Sequence, residues 1–348
     1  MKKARLKDVA EMAGVSIATA SMVLNTKYDN SGRVSAETRQ RIQKIAEEMN
    51  FHPAIYAQQM KGIRSGTIGL IIPDLMNHFY PEVASGFSNT AYEEGYNVML
   101  LNSCNDIDRE VSFCGTLLDM RVDGVAICGT NLATQRDKNK EKKIIKRFKS
   151  MNIPVVRLDR YDDDPICPYV GIDNYKAAYD MTVLLIKNGH RKIIGVNEDK
   201  SVYILEERTK GYTQAMLDNG LTPDLIRLDT SDEAIFKKKM MQELKDSNRA
   251  TAVFSLVGDF AAIQIIQVEN ELGHTVPGNV SVAGIDDISL AAAINPSLTT
   301  VRQHKYEIGR ESLYVLDAMI KSNSLEHGNT IIPTKCVVRN STRNIKII

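Results

Sequence analysis

Short runs of valine, isoleucine and leucine recur from Thr67 onward, and helix-length amphipathic segments separate them. Near-continuous apolar runs are typical of parallel strands buried on both faces, and their alternation with helices predicts repeated βαβ units. The predicted strands are Thr67–Asp74, Asn97–Asn102, Gly124–Gly129, Pro154–Asp159, Tyr169–Asp173, Lys192–Asn197, Ala252–Leu256, Val280–Ile285, Leu298–Gln303 and Thr330–Arg339. This number of βαβ units is too large for a single hydrophobic core. We therefore predict two α/β lobes, each with a doubly wound parallel sheet.

We expect the chain to cross between the two lobes three times. The first lobe should comprise about residues 67–167 and 298–330, and the second about residues 168–297 and 331–348. The expected crossovers lie near Ile166–Tyr169, Asn295–Ser297 and Pro333. Because ligands bind outside the carboxyl ends of parallel strands, residues that follow the strands are the candidates for a binding site.

The overall composition is that of a globular protein. Hydrophobic residues make up 43% and charged residues 25% of the 348 residues. No apolar run reaches the length of about 18 residues that indicates a membrane span, and the basic start leads into a polar segment rather than a secretory signal. The five cysteines lack CxxC spacing and indicate reduced thiols. We therefore expect a cytoplasmic protein with no membrane partner, metal or cofactor.

Charge is unevenly distributed along the chain. Residues 1–61 contain ten Lys or Arg and six Asp or Glu, a net charge of +4, so the whole-chain charge of +1 leaves −3 for the remainder. A basic head on a slightly acidic body is typical of a DNA-binding domain attached to a soluble sensor. Chance variation in a short window would give the same asymmetry, so charge alone does not decide the function.

The head of the chain predicts two short helices joined by a tight turn. Leu6 to Met12 has helical spacing, Gly14 interrupts it, and Ser16 is a favourable N-cap for a second helix that ends near Asn25. Two short helices joined by a glycine-containing turn form a helix-turn-helix, whose second helix enters the major groove of DNA.

The two faces of the predicted second helix differ in their expected surroundings. Ala20, Val23 and Leu24 share one face and should pack inward. The opposite face is mildly apolar yet exposed, and it consists of Ile17, Ala18, Ser21 and Met22. A soluble helix with no partner has no need of such a face, so we expect it to contact DNA.

A third helix should complete the head. Ser35 is its expected N-cap, and its apolar stripe consists of Ile42, Ile45, Ala46 and Met49. The basic residues placed to meet DNA phosphates are Arg33, Arg39, Arg41 and Lys44. Each of these charges alone is equally explained by a solvated helix face, and only the ensemble indicates DNA.

The segment Leu6–Asn25 resembles the N-terminal signature of the lactose-repressor (LacI) family, whose pattern is approximately DVAxxAGVSxxTVSRVLN. The resemblance implies a bacterial, nucleoid-associated DNA-binding regulator of the repressor type. Its implied partners are double-stranded operator DNA, a sugar-like effector and a second copy of the chain. The implied domains are a helix-turn-helix domain (1–51), a hinge helix and linker (52–66), and a periplasmic-binding-protein-like sensor and dimerisation domain (67–348).

The same resemblance implies which residues contact DNA. They are Leu6, Ser16, Ile17, Ala18, Thr19, Ser21, Met22, Asn25, Arg33, Tyr56, Ala57, Met60 and Lys61. Met22 departs from the family, which usually has an arginine there that donates to guanine. Since methionine cannot donate, but can contact a thymine methyl group, we expect an operator half-site that differs at one or two base pairs.

The segment after Phe51 has the character of a hinge. Pro53 favours a helix start, and the segment that ends at Gly62 is too short to be a stable helix alone in water. The resemblance implies that it folds on operator DNA as a dimer and inserts Met60 into the minor groove. The alternative is that Met60 is an ordinary apolar linker residue. Some members of the family form tetramers through a leucine heptad segment near the C-terminus. Because this sequence has no such heptads there, we expect a dimer.

Polar and aromatic side chains follow the predicted strands of both lobes. Carboxylates, arginines, an amide and aromatic rings together suit a polyhydroxylated ligand. The segments resemble ribose-type periplasmic sugar-binding proteins, and the ligand contacts implied are Asn77, Phe79, Tyr80, Asp159, Arg160, Arg208, Asp286 and Gln303. Such binders have asparagine where this chain has Gly258, which removes one hydrogen bond. Alternatively, Phe79 belongs to the core, and Asp159 and Arg160 form a structural ion pair.

Two other classes of function remain open from the residues alone. A transport receptor would use the same two lobes but does not need the DNA-reading head. An enzyme on a doubly wound fold is possible in principle, yet the chain has no GxxxxGK[ST], GxGxxG, HExxH or GxSxG motif, and no catalytic residue is expected. The favoured function is a sequence-specific transcription regulator controlled allosterically by a small effector.

Overall fold

The structure is a computed structural model, and it describes residues 4–24, 34–51, 64–129, 134–159, 166–199, 202–229, 232–245 and 250–345. The chain divides into two compact units, Met1–Ser65 and Gly66–Ile348. In the part of the chain that is described, no helix is long and apolar enough to cross a membrane.

The first unit contains the three predicted helices. They are α1 (Leu6–Met12), α2 (Ile17–Leu24) and α3 (Ala36–Glu48). The predicted caps are confirmed, because the Ser16 Oγ accepts the Thr19 N–H at 3.1 Å and the Ser35 Oγ accepts the Thr38 N–H at 3.2 Å. The helices enclose a small apolar core that consists of Val9, Ala10, Ala13, Ala20, Val23, Ile42 and Ala46.

The second unit begins with a lobe built on a parallel sheet. Its strands are β1 (Thr67–Ile72), β2 (Asn97–Asn102), β3 (Gly124–Cys128), β4 (Val155–Leu158), β5 (Tyr169–Gly171) and β11 (Thr330–Ile331), in the order β11-β5-β4-β3-β1-β2. Its helices are α4 (Tyr80–Glu93), α5 (Ile107–Asp119), α6 (Gln135–Ser150) and α12 (Lys305–Ser322). Helices α4 and α12 pack against each other on one face, where Gly309 allows the α12 backbone to approach the carbonyl of Val83.

The second lobe repeats this architecture. Its strands are β6 (Ile193–Glu198), β7 (Asp224–Leu228), β8 (Ala252–Ser255), β9 (Ser281–Asp286), β10 (Thr299–Arg302) and β12 (Lys335–Val337), in the order β12-β10-β9-β8-β6-β7. Its helices are α7 (Asn174–Lys187), α8 (Tyr203–Asp218), α9 (Glu233–Leu244), α10 (Asp259–Glu271) and α11 (Ser289–Ala293). The predicted pair of doubly wound lobes is confirmed, with β12 as an antiparallel strand beside β10.

The lobe boundaries differ from the expected ones at two of the three crossovers. Tyr169–Gly171 pairs with β4 and therefore belongs to the first lobe, although residues from 168 onward were expected in the second. Thr299–Arg302 pairs with β9 and belongs to the second lobe, although residues from 298 were expected in the first. The chain therefore crosses after Gly171 and after Arg302, rather than near Ile166–Tyr169 and Asn295–Ser297.

The last predicted strand and one unpredicted strand also differ. The prediction of one strand over Thr330–Arg339 is wrong, because β11 and β12 lie in different sheets with Pro333 between them. Proline has no N–H to donate to a ladder, which explains a strand break at this residue. The edge strand β7 was missed, since only Ile226 and Leu228 of its five residues are buried and the apolar run is interrupted by Arg227.

Candidate DNA interface and effector site

The α2 face that is expected to contact DNA is exposed at its first two residues and half-buried further along the helix. Ile17 is 50% exposed and Ala18 is also exposed, while Ser21 and Met22 are half-buried. The opposite face places Ala20 and Val23 in the core of the first unit, and Leu24 packs partly against that core.

Not every proposed DNA contact lies on that face. Leu6 packs against the helical core, and Thr19 Oγ1 lies 2.8 Å from the Ser16 Oγ within the N-cap of α2. The remaining predicted contacts lie outside the described residues, and they are Asn25, Arg33, Tyr56, Ala57, Met60 and Lys61.

In the second lobe, a buried arginine is fixed beside the ends of two strands. Arg208 projects from α8 and is 4% exposed. Its Nε donates to the Asn174 side chain at 2.8 Å, and its Nη1 donates to the carbonyl oxygens of Leu256 and Val257 at 3.0 and 3.3 Å. Its Nη2 lies 3.6 Å from the Asp286 carboxylate. These bonds hold the guanidinium in one orientation at the carboxyl edge of the sheet.

Asp286 and Gln303 complete this group. The Gln303 Nε2 donates to Asp286 Oδ1 at 2.5 Å, so the ends of β9 and β10 are joined at this point. Gln303 is fully buried, and among the described residues its Oε1 has no hydrogen-bond partner. A buried amide oxygen without a donor costs free energy unless another group, such as a ligand hydroxyl, supplies one.

Gly258 and Asp259 determine how much space is available beside the Asp286 carboxylate. Gly258 has a φ of 153° and a ψ of 179°, a conformation that other residues rarely adopt, and a Cβ there would lie 2.7 Å from Asp286 Oδ2. The next residue, Asp259, is fully buried and accepts hydrogen bonds from Thr300 Oγ1 at 2.5 Å and Ile288 N–H at 2.9 Å. The Asp286 carboxylate therefore occupies space that a side chain at 258 would need.

Burial and mutual repulsion perturb these carboxyl groups. Burial raises the pKa of Asp259 to about 8, the Asp286 charge adds to the effect, and the Thr300 hydrogen bond opposes it. Burial also raises the pKa of Asp286, against the opposing influence of Arg208 and Lys305. Two neighbouring carboxylates repel each other when both are ionised, so the pair is most stable when one of them keeps a proton.

The adjacent Asp287 is charged and held by two arginines. Burial alone would raise the pKa of Asp287, but hydrogen bonds from Arg302 and Arg339 hold it below its ordinary value. Both bonds measure 2.6 Å. Asp287 therefore fastens the loop after β9 to β10 and to the C-terminal segment.

The first-lobe candidates lie at the carboxyl edge of the other sheet. Asn77 is exposed, and its Oδ1 accepts the Phe79 N–H at 2.9 Å, which shapes the loop after β1. Phe79 is 5% exposed and belongs to the apolar core, as the alternative interpretation has it, and its ring meets Tyr80 edge to face at 5.3 Å. Tyr80 is half-buried.

Asp159 follows β4 at the same edge. It is 7% exposed and has a φ of 61°, and its carbonyl oxygen accepts a hydrogen bond from the Tyr169 hydroxyl at 3.3 Å. Burial raises the pKa of Tyr169 well above its ordinary value, and the Asp159 charge adds to this. Arg160 lies outside the described residues, so a pair between Asp159 and Arg160 stays a prediction.

Two contacts that sequence reasoning missed connect the lobes. Lys305 is 3% exposed, and its ammonium donates to the carbonyl oxygens of Asp286 and Asp287 and lies 3.3 Å from the Glu82 carboxylate of the first lobe. The ring of His78, in the loop after β1, and the ring of Phe260, in α10 of the second lobe, lie 6.3 Å apart. No signal in the sequence distinguishes Lys305 from an ordinary solvated lysine at the start of a helix.

The described residues therefore form two groups of proposed ligand contacts, one at the carboxyl ends of strands in each lobe. Arg208, Asp286 and Gln303 are brought together by direct contacts, whereas Asn77, Phe79, Tyr80 and Asp159 lie at the edge of the first sheet. Among the residues with described positions, no cluster of three or more His, Cys, Asp or Glu could hold a metal ion.

Comparison with known proteins gives two family matches and close relatives. Residues 5–54 match the bacterial regulatory proteins of the lacI family, and residues 183–342 match a periplasmic binding protein-like domain. The HTH-type transcriptional regulator RegA of Clostridium saccharobutylicum is 32% identical over 341 residues, which are 97% of this chain and 98% of that protein. The ribose operon repressor of Halalkalibacterium halodurans is 31% identical over 339 residues, 97% of each chain.

A solved structure has the same fold over nearly the whole chain. The lac repressor dimer bound to operator and the anti-inducer ONPF superimposes with a TM-score of 0.84 at 25% identity and covers 98% of this chain and 100% of that one. A helix-turn-helix unit followed by a two-lobed sensor unit defines a ligand-responsive DNA-binding transcription regulator rather than an enzyme.

The chain belongs to the lacI family of bacterial regulatory proteins. As in the rest of that DNA-binding family, its place of action is the cytoplasm.

Proposed function

We propose that this chain is a homodimeric repressor whose operator affinity is set by a sugar or sugar-bearing effector. The observation that carries the proposal is the group formed by Arg208, Asp286 and Gln303 at the carboxyl ends of β9 and β10. A fixed guanidinium, a carboxylate oxygen and a buried amide acceptor match the paired hydroxyls of a sugar ring. The relation to a ribose operon repressor supports the same ligand class.

The first lobe is proposed to close over the other side of the ligand. Asn77 and Asp159 would pair with hydroxyls, Tyr80 would cover the C–H face, and Phe79 would support that ring from the core. Arg160 is proposed as a further hydrogen-bond donor. Since Gly258 replaces the usual asparagine, the effector receives one hydrogen bond fewer at that point than in a ribose-type binder.

The DNA contacts are proposed on three segments of the first 66 residues. The exposed face of α2 would read base edges in the major groove, and Arg33 would meet a phosphate. Domain boundaries at 1–51, 52–66 and 67–348 are proposed, with Tyr56, Ala57, Met60 and Lys61 in a hinge that folds on DNA. Binding to the nucleoid follows from these contacts.

Ligand screening by thermal shift tests the effector. The panel includes D-ribose, other pentoses and hexoses, nucleosides and sugar phosphates, measured on the wild type, Asn77→Ala and Arg208→Ala. We expect a sugar or nucleoside to raise the melting temperature of the wild type and to have little effect on either variant. Asn77 is exposed, so its variant separates lost binding from lost stability. Stabilisation by none of these compounds would refute the effector class.

Selection of binding sites from random DNA tests the operator. We expect a palindromic site whose half-sites depart from the family consensus where Met22 replaces arginine. Met22→Arg should restore the usual base there, because arginine donates to guanine N7 and O6. Recovery of the same half-site by both proteins would show that Met22 does not read DNA.

A further inference from the structure

A lysine in a first-lobe helix reaches the backbone of the loop after β9 in the second lobe. This loop, residues 286–288, carries the proposed ligand contact Asp286 and is called the effector loop below. Lys305 is the first residue of α12, and its side chain is 3% exposed. Its ammonium donates to the carbonyl oxygens of Asp286 and Asp287, each at 2.9 Å. The same ammonium lies 3.3 Å from the carboxylate of Glu82, in the first turn of α4. One cation therefore joins two first-lobe helices to the loop that carries Asp286.

The loop that receives these bonds has a strained backbone. Asp286 has a φ of 123° and Asp287 a φ of 52°. Such conformations cost free energy in residues other than glycine, and they persist only where the surroundings hold them. The bonds from Gln303, Arg302 and Arg339 hold the two carboxylates, whereas Lys305 holds the peptide carbonyls themselves.

The environment of the ammonium makes this contact strong. Hydrogen bonds in which one partner is ionised are stronger than neutral ones, and a buried position removes competing water. Glu82 supplies the counter-charge from a side chain that is 49% exposed. The helix that carries Glu82 begins at Tyr80, directly after the loop of Asn77 and Phe79.

We infer that Lys305 is a positioning residue that couples the effector loop of the second lobe to the first turns of α12 and α4. A ligand that moves the Asp286 carboxylate moves its carbonyl, and the Lys305 ammonium follows that carbonyl. The first turn of α4 then responds through Glu82. The inference rests on the proposed function only for the identity of the effector.

The opposite end of the same helix pair offers a matched control. Lys321, in the last turn of α12, lies 2.9 Å from the carboxylate of Glu94, which caps α4, and 2.7 Å from that of Asp317. These contacts join the same two helices with the same chemistry. All three residues belong to the first lobe, so this pair has no part in the effector loop.

Hydrogen exchange of two charge-reversal variants of the full chain tests the inference without any ligand. Glu82→Lys and Glu94→Lys each place a second ammonium against a lysine of α12, at side chains that are 49% and 31% exposed. In Glu82→Lys we expect the amides of Asp287 and Ile288 to exchange about tenfold faster, as for the loss of one charged hydrogen bond. These amides bond to Thr300 and Asp259 in the folded loop. Glu94→Lys should leave their exchange unchanged.

A second pair of variants separates coupling from stability. With D-ribose as the probe, the wild type and Lys321→Met should show slower exchange at residues 286–288 and at residues 80–84. Lys305→Met should keep the protection at 286–288 and lose it at 80–84. A purely structural role for Lys305 would change both segments together, so loss of both would overturn the inference.

The remaining outcomes are equally decisive. Equal exchange at residues 286–288 in Glu82→Lys and Glu94→Lys would overturn the role of Lys305. Protection that reaches residues 80–84 in Lys305→Met would overturn it as well. No protection by D-ribose in the wild type counts against that sugar as the effector, and the ligand-free comparison then decides the role of Lys305 alone.

Discussion

At the scale of single residues, the buried Asp259 and its half-buried neighbour Asp286 make stability depend on pH. The pKa of Asp259 is raised in the fold to about 8 from an ordinary value of 3.8. The folded state therefore binds this proton more tightly than the unfolded state. Its contribution is fully present below the ordinary value and is lost as pH rises through the folded value.

We predict that the free energy of unfolding falls as pH rises between about 4 and 8. One proton limits the slope to at most about 1.4 kcal/mol per pH unit. Asp259→Asn, which cannot ionise, should flatten this part of the profile, while Asn in place of the exposed Asp119 should not. Denaturant unfolding at a series of pH values measures it. If the free energy of unfolding fell equally steeply with pH in the wild type and in Asp259→Asn, Asp259 would not be the group responsible.

Gly258 allows a second prediction at this scale. Gly258→Ala places a methyl group 2.7 Å from Asp286 Oδ2 in a conformation with φ at 153°. Gly220→Ala is the control, because Gly220 has a φ of 67° and no atom within 4 Å of a Cβ. Gly220→Ala should cost about 1–2 kcal/mol of stability from backbone strain, and Gly258→Ala about 1–2 kcal/mol more.

Effector affinity distinguishes the two glycine variants further. Gly258→Ala should lose affinity because Asp286 has to move, whereas Gly220→Ala should keep the wild-type value. Calorimetric titration with the effector found by screening provides the measurement. Equal affinities in both variants would mean that the space beside Asp286 does not matter for binding.

At the scale of elements, the caps of α2 and α3 form a natural comparison. The two serines make the same bond to the N–H three residues later, Ser16 at 3.1 Å and Ser35 at 3.2 Å. Ser16→Ala and Ser35→Ala should each destabilise the first unit by about 1 kcal/mol. Only α2 presents the face proposed to enter DNA, so only Ser16→Ala should also weaken operator binding at temperatures where both variants are folded.

That comparison is measured by thermal unfolding together with fluorescence anisotropy on the selected operator. Similar stability losses with a larger affinity loss for Ser16→Ala support α2 as the DNA-reading helix. A larger affinity loss for Ser35→Ala would instead place the contact on α3.

The positions of most helices and strands were predictable from the sequence, but the sheet that each short strand joins was not. Capping residues and helical spacing located α1, α2 and α3, and buried runs such as Gly124–Cys128 located central strands. Tyr169–Gly171 and Thr299–Arg302 are only three and four residues long, and nothing in their residues says which sheet accepts them. Their assignment depends on hydrogen-bond partners distant in sequence.

The same limit applies to the candidate site. Asp286 and Gln303 were predictable because they follow strands at the carboxyl edge of the sheet. Arg208 lies in the second turn of α8 and was predicted only by the resemblance to ribose-type binders. Lys305 was not, since a lysine at a helix start is usually a solvated charge, and only the fold shows it 3% exposed against two carbonyl groups. The raised pKa of Asp259 likewise depends on burial that the residue type does not reveal.

At the scale of the whole molecule, the two units have separate cores and distinct proposed ligands. A regulator built this way works through a coupling free energy between effector and operator, which is typically about 1–3 kcal/mol. Thermodynamic linkage requires that the factor by which effector changes operator affinity equal the factor by which operator changes effector affinity. This equality holds whether the effector releases DNA or promotes its binding.

For the wild-type chain we predict that effector changes operator affinity by the same factor as operator changes effector affinity. This factor should lie in the range of about five- to 150-fold. Operator affinity is measured with and without saturating effector, and effector affinity with and without saturating operator, at one fixed salt concentration because phosphate contacts make DNA binding salt-dependent. Arg208→Ala should abolish the first factor while keeping the operator affinity of the effector-free protein, since Arg208 lies in the second unit. Unequal factors would mean that effector acts on DNA binding by direct competition or by assembly, and not through two states of one molecule.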